Sequence, residues 1–127
     1  MKVEKLQFEP TYKRGNGLFV VDLDKVEIPF EVIERSFVYI PPSEKGGNHR
    51  HPRAEAFIGI GEGLKVVWLD ADGESHEETM NKNGGLSIYI ISPNTPHAVI
   101  NTSETQFGVL LEFASEVQHD VEMVNLV

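Results

Sequence analysis

The sequence predicts an all-β fold, an antiparallel sandwich or barrel, built as one domain over residues 1–127. Three observations predict it. Apolar residues alternate with period two in short runs. Turn-forming clusters of Gly, Pro, Asn and Asp separate those runs at spacings of about eight to twelve residues. No stretch carries the 3.6-residue periodicity of an amphipathic helix. A chain of this length can bury one continuous core without disulfide or metal staples.

Residues 13–17 read as a turn, followed by a short strand at 18–21. Ile28-Pro29-Phe30 leads into a strand over 31–40. Ile33, Arg35, Phe37 and Tyr39 share one of its faces; Val32, Glu34, Ser36, Val38 and Ile40 share the other. Pro41-Pro42 ends it, because neither proline can donate to a ladder. Residues 43–48 read as a Gly-rich loop. A histidine strand follows, then a strand at 56–60, a Gly61-Glu62-Gly63 turn and a strand at 64–69. Asp70-Ala71-Asp72-Gly73 signals a hairpin with 74–80 as its returning strand. Residues 81–85 turn into the apolar strand 86–91, and 92–96 turn again to deliver His97 to the head of 98–101. A strand at 106–113 closes the set. Residues 116–127, mildly apolar at Val117, Val121, Val124 and Val127, read as an edge strand or a short helix.

The chemically informative stretch is His49-Arg50-His51-Pro52-Arg53-Ala54-Glu55, answered downstream by His97. Two histidines one residue apart face the same way on an extended backbone, and Glu55 shares their parity if the strand runs on past Pro52. Two imidazoles and a carboxylate from one strand, with an imidazole from another, make a ligand set for zinc, iron, manganese, nickel or copper. The competing account is a polar strand face with no ligand role.

Composition narrows the function classes. The chain has no cysteine, which removes thiolate chemistry, and a formal charge of −9 from dispersed acids. That balance argues against nucleic acid as a partner. No apolar run approaches the roughly 20 residues of a membrane span, and no apolar region follows Met1-Lys2-Val3-Glu4-Lys5. The expectation is a soluble cytoplasmic protein without a membrane partner. Arg14, Arg35, Arg50 and Arg53 are candidates for a small positive patch toward an anionic ligand.

The stretch from Gly46 to Glu55, ending in Gly61-Glu62-Gly63, resembles the first cupin motif, G…HxH…E…G. Gly85, then Pro93-Asn94-Thr95-Pro96-His97 and Asn101, resemble the second, with the turn before His97 one residue short. The resemblance implies a single-domain cupin-like jelly-roll β-barrel over residues 1–127. It implies His49, His51, Glu55 and His97 as metal ligands, and a homodimer paired through edges such as 18–21 or the C-terminal segment. A narrower resemblance runs through Arg14-Gly15-Asn16, Ile28-Pro29-Phe30, Arg35-Ser36-Phe37 and His49-Arg50-His51. It is to WxcM-like sugar 3,4-ketoisomerases, which act on nucleotide-linked 4-keto-6-deoxyhexoses and are understood to work without metal.

These expectations ask different things of the same side chains. A metal cupin needs neutral imidazoles around a divalent transition metal and binds a small polar ligand, sugar-like or a keto acid. A ketoisomerase needs His49 or His51 as proton shuttle, with Arg35 or Arg53 holding a diphosphate or an enediolate oxygen. A binding cupin without catalysis is the third class. Asn101, four residues beyond His97, is expected to orient the site. Tyr89 is read as facing either the interior or the opposite side, Trp68 as core, and His76 and His119 as surface residues.

Overall fold

The computed structural model describes residues 1–127, the side chain of Asn83 excepted. In chain order the strands are β1 (Val3–Phe8), β2 (Tyr12–Lys13), β3 (Phe19–Val20), β4 (Glu34–Ile40), β5 (Lys45–Arg50), β6 (Glu55–Ile60), β7 (Leu64–Leu69), β8 (Ser75–Thr79), β9 (Leu86–Ile91), β10 (His97–Asn101), β11 (Gly108–Ala114) and β12 (Glu122–Met123). Short 3₁₀ turns sit at Leu23–Lys25 and Lys82–Gly84. Two five-stranded antiparallel sheets face each other, ordered β1-β9-β6-β11-β4 and β12-β5-β10-β7-β8. From β4 onward consecutive strands alternate between the sheets, the β7–β8 hairpin excepted, which is the jelly-roll arrangement. The two sheets do not close into one hydrogen-bonded barrel, although Lys5 on β1 meets Glu78 on β8 at 3.0 Å across one seam.

The inner faces pack the main core: Ile40, Phe57, Leu64, Val66, Tyr89 and Leu110 interdigitate between the sheets. A second cluster lies on the outer face of the first sheet. There Ile58, Ile88, Ile90 and Phe113 are covered by Val26, Ile28, Phe30 and Val32 from the segment that precedes β4. A sheet apolar on both faces explains why β6 and β9 read as continuous apolar runs. Tyr89 belongs to the inner set, with its hydroxyl 3.5 Å from the Thr79 carbonyl, and serves packing.

Three readings of the sequence are corrected. First, the histidine strand does not run on past Pro52. β5 ends at Arg50 in one sheet, and Glu55 opens β6 in the other. A proline cannot donate to the ladder, and the chain crosses between sheets there. Second, residues 45–48 of the presumed loop are strand. Gly46 and Gly47 pair with Val99 and Ala98, and a side chain at Gly47 would lie 3.0 Å from the His97 carbonyl oxygen. Glycine is required there by close approach and by a φ of +82°. Third, residues 18–21 form no edge of a large sheet. β3 pairs only with β2 in a separate ribbon, and the edges of the large sheets are β1, β4, β12 and β8. The C-terminal segment resolves as β12, an edge strand on β5.

Asn101 pins the end of β10. Its Nδ2 donates to the carbonyls of Ile40, Pro41 and Gln106, and its Oδ1 accepts from the Ser103 amide at 3.0 Å. An Asn101→Ala substitution leaves those buried groups unpaired and should cost about 2–4 kcal/mol of unfolding free energy in urea titration. The strand rise of about 3.3 Å per residue puts Asn101 some four residues' length from His97, so the ligand affinity of the folded fraction should not change.

Candidate active site

The four residues singled out in the two motifs converge. His49 on β5 lies opposite His97 on β10 in register, with ring centroids 4.9 Å apart. His51 stands in the crossing loop, 4.9 Å from the His49 ring and 5.2 Å from that of His97. Glu55 arrives from the facing sheet. One donor atom from each residue lies within 4.8 Å of all the others. His51, Glu55 and His97 are buried and His49 is half-buried.

Two loops hold this geometry. The Asn94 amide donates to the His51 carbonyl at 2.8 Å, and Asn94 adopts a left-handed φ of +63° to do so. The Leu69 amide donates to the Pro96 carbonyl, tying the same loop to β7. The β5–β10 register shifts between His97 and Ala98, leaving Asn48 without a partner opposite it on β10.

Glu55 sits at the centre of the hydrogen bonding. Its Oε1 lies 3.1 Å from His51 Nε2 and 3.0 Å from His97 Nε2. Its Oε2 accepts from Arg53 Nε at 3.0 Å and Arg53 Nη2 at 2.8 Å. Burial works to raise this carboxyl, but the hydrogen bonds from His51 and His97 outweigh it and hold Glu55 well below the usual carboxylate range. Arg53 is itself buried at 4% exposure and also donates to Glu34 at 2.8 Å, Glu112 at 2.9 Å and the Glu116 carbonyl at 3.2 Å.

His97 carries an unusual constraint. Its Nδ1 is 2.8 Å from the Thr95 carbonyl oxygen, which can only accept, so the Nδ1 position holds a proton. In a neutral ring Nε2 is then a bare lone pair, and it faces the ionised Glu55 oxygen. Two acceptors at this separation require a cation between them, either a second proton or a metal ion. The His51–Glu55 and His97–Glu55 separations suit a metal as well: two ligands on one ion at about 2.1 Å stand some 3.0–3.4 Å apart. His51 Nδ1 is buried without a hydrogen-bond partner among the described residues.

Around this cluster lies a cavity of about 170 Å³ floored by Val38, Phe57, Val99 and Leu110. Its polar wall adds Glu112 and Gln118 to His49, Glu55 and His97. Burial, and next the neighbouring Glu55, push the Glu112 carboxyl up to about 8. Burial, followed by the adjacent His97 and His51 rings, lowers His49 to about 4. At neutral pH the cavity therefore presents a neutral imidazole and a protonated acid.

Arg35, expected as a catalytic or anion-holding residue, does not join the site. It lies on the outer face of β4, in register with Phe113, beside a groove with Phe37 and Leu23. The four arginines form no patch: Arg14 lies beside Tyr12, Arg50 pairs with Glu122, and Arg53 is buried among acids. Asn101 holds loops away from the cluster and does not orient it. His76 stacks on Trp68 at 5.3 Å and meets Asp70 at 2.7 Å, while His119 pairs with Glu116. Glu112 was missed. Its signal was a lone acid at inward parity in an otherwise apolar strand, and only the register with Phe57 shows where it points.

No protein-family model matches the chain, and no curated protein matches it in sequence. Solved structures do. A dTDP sugar isomerase from Desulfovibrio desulfuricans G20 superposes with a TM-score of 0.77 at 15% identity, over 98% of this chain and 84% of that one. A mutant of the 3,4-ketoisomerase QdtA from Thermoanaerobacterium thermosaccharolyticum, in complex with TDP-4-keto-6-deoxyglucose, gives 0.67 at 20%, over 93% and 83%. The capsular polysaccharide assembling protein CapF from Staphylococcus aureus gives 0.66 at 19%; 80% of this chain is covered, and it spans only 29% of that protein. These likenesses establish the cupin-type double-sheet fold.

Arg53 is the sole guanidinium facing Glu34, Glu55 and Glu112 among the described residues. Replacing it, Arg53→Met, leaves buried acids uncompensated and should destabilise the chain by about 3–5 kcal/mol at pH 8. Urea melts at pH 5 should show a smaller loss, because Glu112 is then protonated with or without the arginine.

Proposed function

We propose that this chain is an isomerase that moves a proton between adjacent carbons of a keto-sugar carried on a nucleotide. One observation carries the reading: a half-buried imidazole kept neutral, His49, and a buried carboxyl that keeps its proton, Glu112, line the same cavity, the pair of groups such a proton transfer uses. The likeness to a dTDP sugar isomerase over nearly the whole chain supports it. The cavity of about 170 Å³ has room for one ring-sized group, leaving the nucleotide outside.

The residues divide the work. Neutral His49 takes the proton from the carbon that bears the hydroxyl, and the C–H electron pair becomes the double bond of an enediol. The protonated Glu112 carboxyl gives a proton to the carbonyl oxygen. In the second half the former hydroxyl returns a proton to Glu112 and becomes the carbonyl, while His49 delivers its proton to the other carbon. Substrate and product have the same composition, and no external oxidant is consumed. Arg53, whose Nη2 lies 2.9 Å from Glu112, holds the negative charge left on that carboxylate when it gives up its proton. A nucleotide-linked substrate also fits the cytoplasmic location expected from the sequence.

The constraint at His97 favours a second reading, in which His49, His51, Glu55 and His97 hold a divalent transition metal, zinc, iron, manganese, nickel or copper. Such an ion supplies Lewis-acid polarisation of a carbonyl oxygen.

Assembly belongs to the reading too. Phe37 and Tyr39 stand exposed on the edge strand β4, where they suit pairing with a second copy as a homodimer. Light scattering should return twice the chain mass.

Incubating the protein with TDP-4-keto-6-deoxyglucose in D₂O should place solvent deuterium on the sugar carbon next to the carbonyl, read by NMR. His49→Ala should slow this by about 10²–10⁴-fold. The rate should fall on both sides of neutrality: below about pH 4 as His49 takes up a proton, and above about pH 8 as Glu112 loses one. Glu112→Gln should remove the alkaline limb. No exchange with any nucleotide-linked keto-sugar would overturn the isomerase reading. For the metal reading, protein offered zinc, iron, nickel and manganese in turn should retain about one equivalent, and His51→Ala should lose it while His76→Ala keeps it. Retention under about a tenth of an equivalent would rule it out.

A further inference from the structure

Every residue that lines the site cavity belongs to a strand of the two sheets except one. Gln118 comes from residues 116–127, the segment that follows β11. Both ends of that segment are fastened to the machinery of the site. At its start the Ser115 amide donates to the Ala54 carbonyl at 3.0 Å, the Ser115 hydroxyl accepts from the Ala54 amide at 2.9 Å, and the Glu116 carbonyl accepts from Arg53. Arg53 is also the residue that clamps Glu55.

At its far end β12 adds to β5, with Met123 opposite His49. Arg50 donates from Nε and Nη2 to the two Glu122 carboxylate oxygens at 3.0 and 3.1 Å. Asn48 grips the segment most firmly: its Oδ1 accepts from the Leu126 and Val127 amides, its Nδ2 donates to the Val127 carbonyl, and its own carbonyl accepts from Val124. The residues on either side of His49 are thus committed to holding this segment.

Among the described residues, the stretch between the two anchorages makes no hydrogen bond to the sheets. Val117 and Val121 are 63% and 43% exposed. His119 folds the span onto itself, reaching Glu116 at 2.7 Å and Asp120 at 3.2 Å, and Asp120 takes a left-handed φ of +48°. A span fastened at both ends and exposed between them, with Gln118 at the rim of the cavity, is built to lie across an opening.

We propose that residues 116–127 form a strap that closes the site over its ligand, and that the Gln118 carboxamide is a specificity residue contacting an oxygen of the bound sugar ring. A carboxamide offers both a donor and an acceptor, which suits a ring bearing a carbonyl beside hydroxyls. The role given to Gln118 rests on the isomerase reading; the strap itself does not.

The strap is tested by the access of a small reagent to His49. Full chain dialysed against EDTA is treated with diethyl pyrocarbonate, and carbethoxylation of His49 and of His76 is followed by mass spectrometry. Asn48→Gly removes three side-chain hydrogen bonds and tolerates the φ of +63° at that position; combined with Glu122→Ala it releases the far end. Modification of His49 should accelerate at least fivefold in that variant, with His76 unchanged. The charge-swapped pair Arg50→Glu with Glu122→Arg should keep the wild-type rate. An unchanged His49 rate in the released variant, with a native circular dichroism spectrum, overturns the strap.

Gln118→Ala, assayed with TDP-4-keto-6-deoxyglucose, should raise KM about tenfold with kcat within twofold; an unchanged KM overturns the contact. Wild-type protein that turns over no keto-sugar at all overturns the isomerase reading and the Gln118 contact with it. The modification rates still decide the strap.

Discussion

A single buried guanidinium organises this molecule's interior. Arg53 binds Glu55 through two nitrogens and reaches Glu34, Glu112 and the Glu116 carbonyl, so it joins β4, the head of β6, β11 and the start of the C-terminal segment. Taking a charge of this kind out of water costs several kcal/mol before any partner is counted. The cost is offset because a planar fork of five donors meets carboxylates arranged around it. The Glu55 oxygen that Arg53 leaves free is the one that faces His51 and His97.

That arrangement sorts the acids by environment. Glu55 receives hydrogen bonds on both oxygens and stays ionised despite burial. Glu112 shares the same arginine with two other carboxylates, lies against a charge of its own sign, and keeps its proton to about pH 8. Two carboxyls in one cavity are thereby given different states at neutral pH, the usual condition for dividing acid and base roles. The half-buried His49 is kept neutral first by burial and then by the adjacent His97 and His51 rings.

The site also draws on both sheets. His49 and His97 come from adjacent strands of one, Glu55 and Glu112 from adjacent strands of the other, and the cavity is the gap between them. Function and core packing thus share one space. The apolar floor of Val38, Phe57, Val99 and Leu110 is continuous with the main hydrophobic core, which fixes the walls of the cavity.

The sequence by itself determined the strand-rich fold, because period-two patterning and turn residues are local signals. It determined the four-residue cluster too, because HxH, a following acid and a distant histidine after a Pro/Asn turn are specific in type and order. It did not place Arg53, Arg35 or Glu112. Arg53 read as part of a positive patch or as an anion holder, because burial of a charge depends on carboxylates 19 and 59 residues away. Arg35 shared a face with Ile33 and Phe37 in both descriptions, but which face met the cavity depended on how β4 packed against its neighbours. The first sheet is apolar on both sides, so parity alone could not choose. The sequence left open whether the strand runs on past Pro52; that the chain crosses there, and that Glu55 returns to the same cluster from the opposite sheet, was decided only by the way the two sheets face each other.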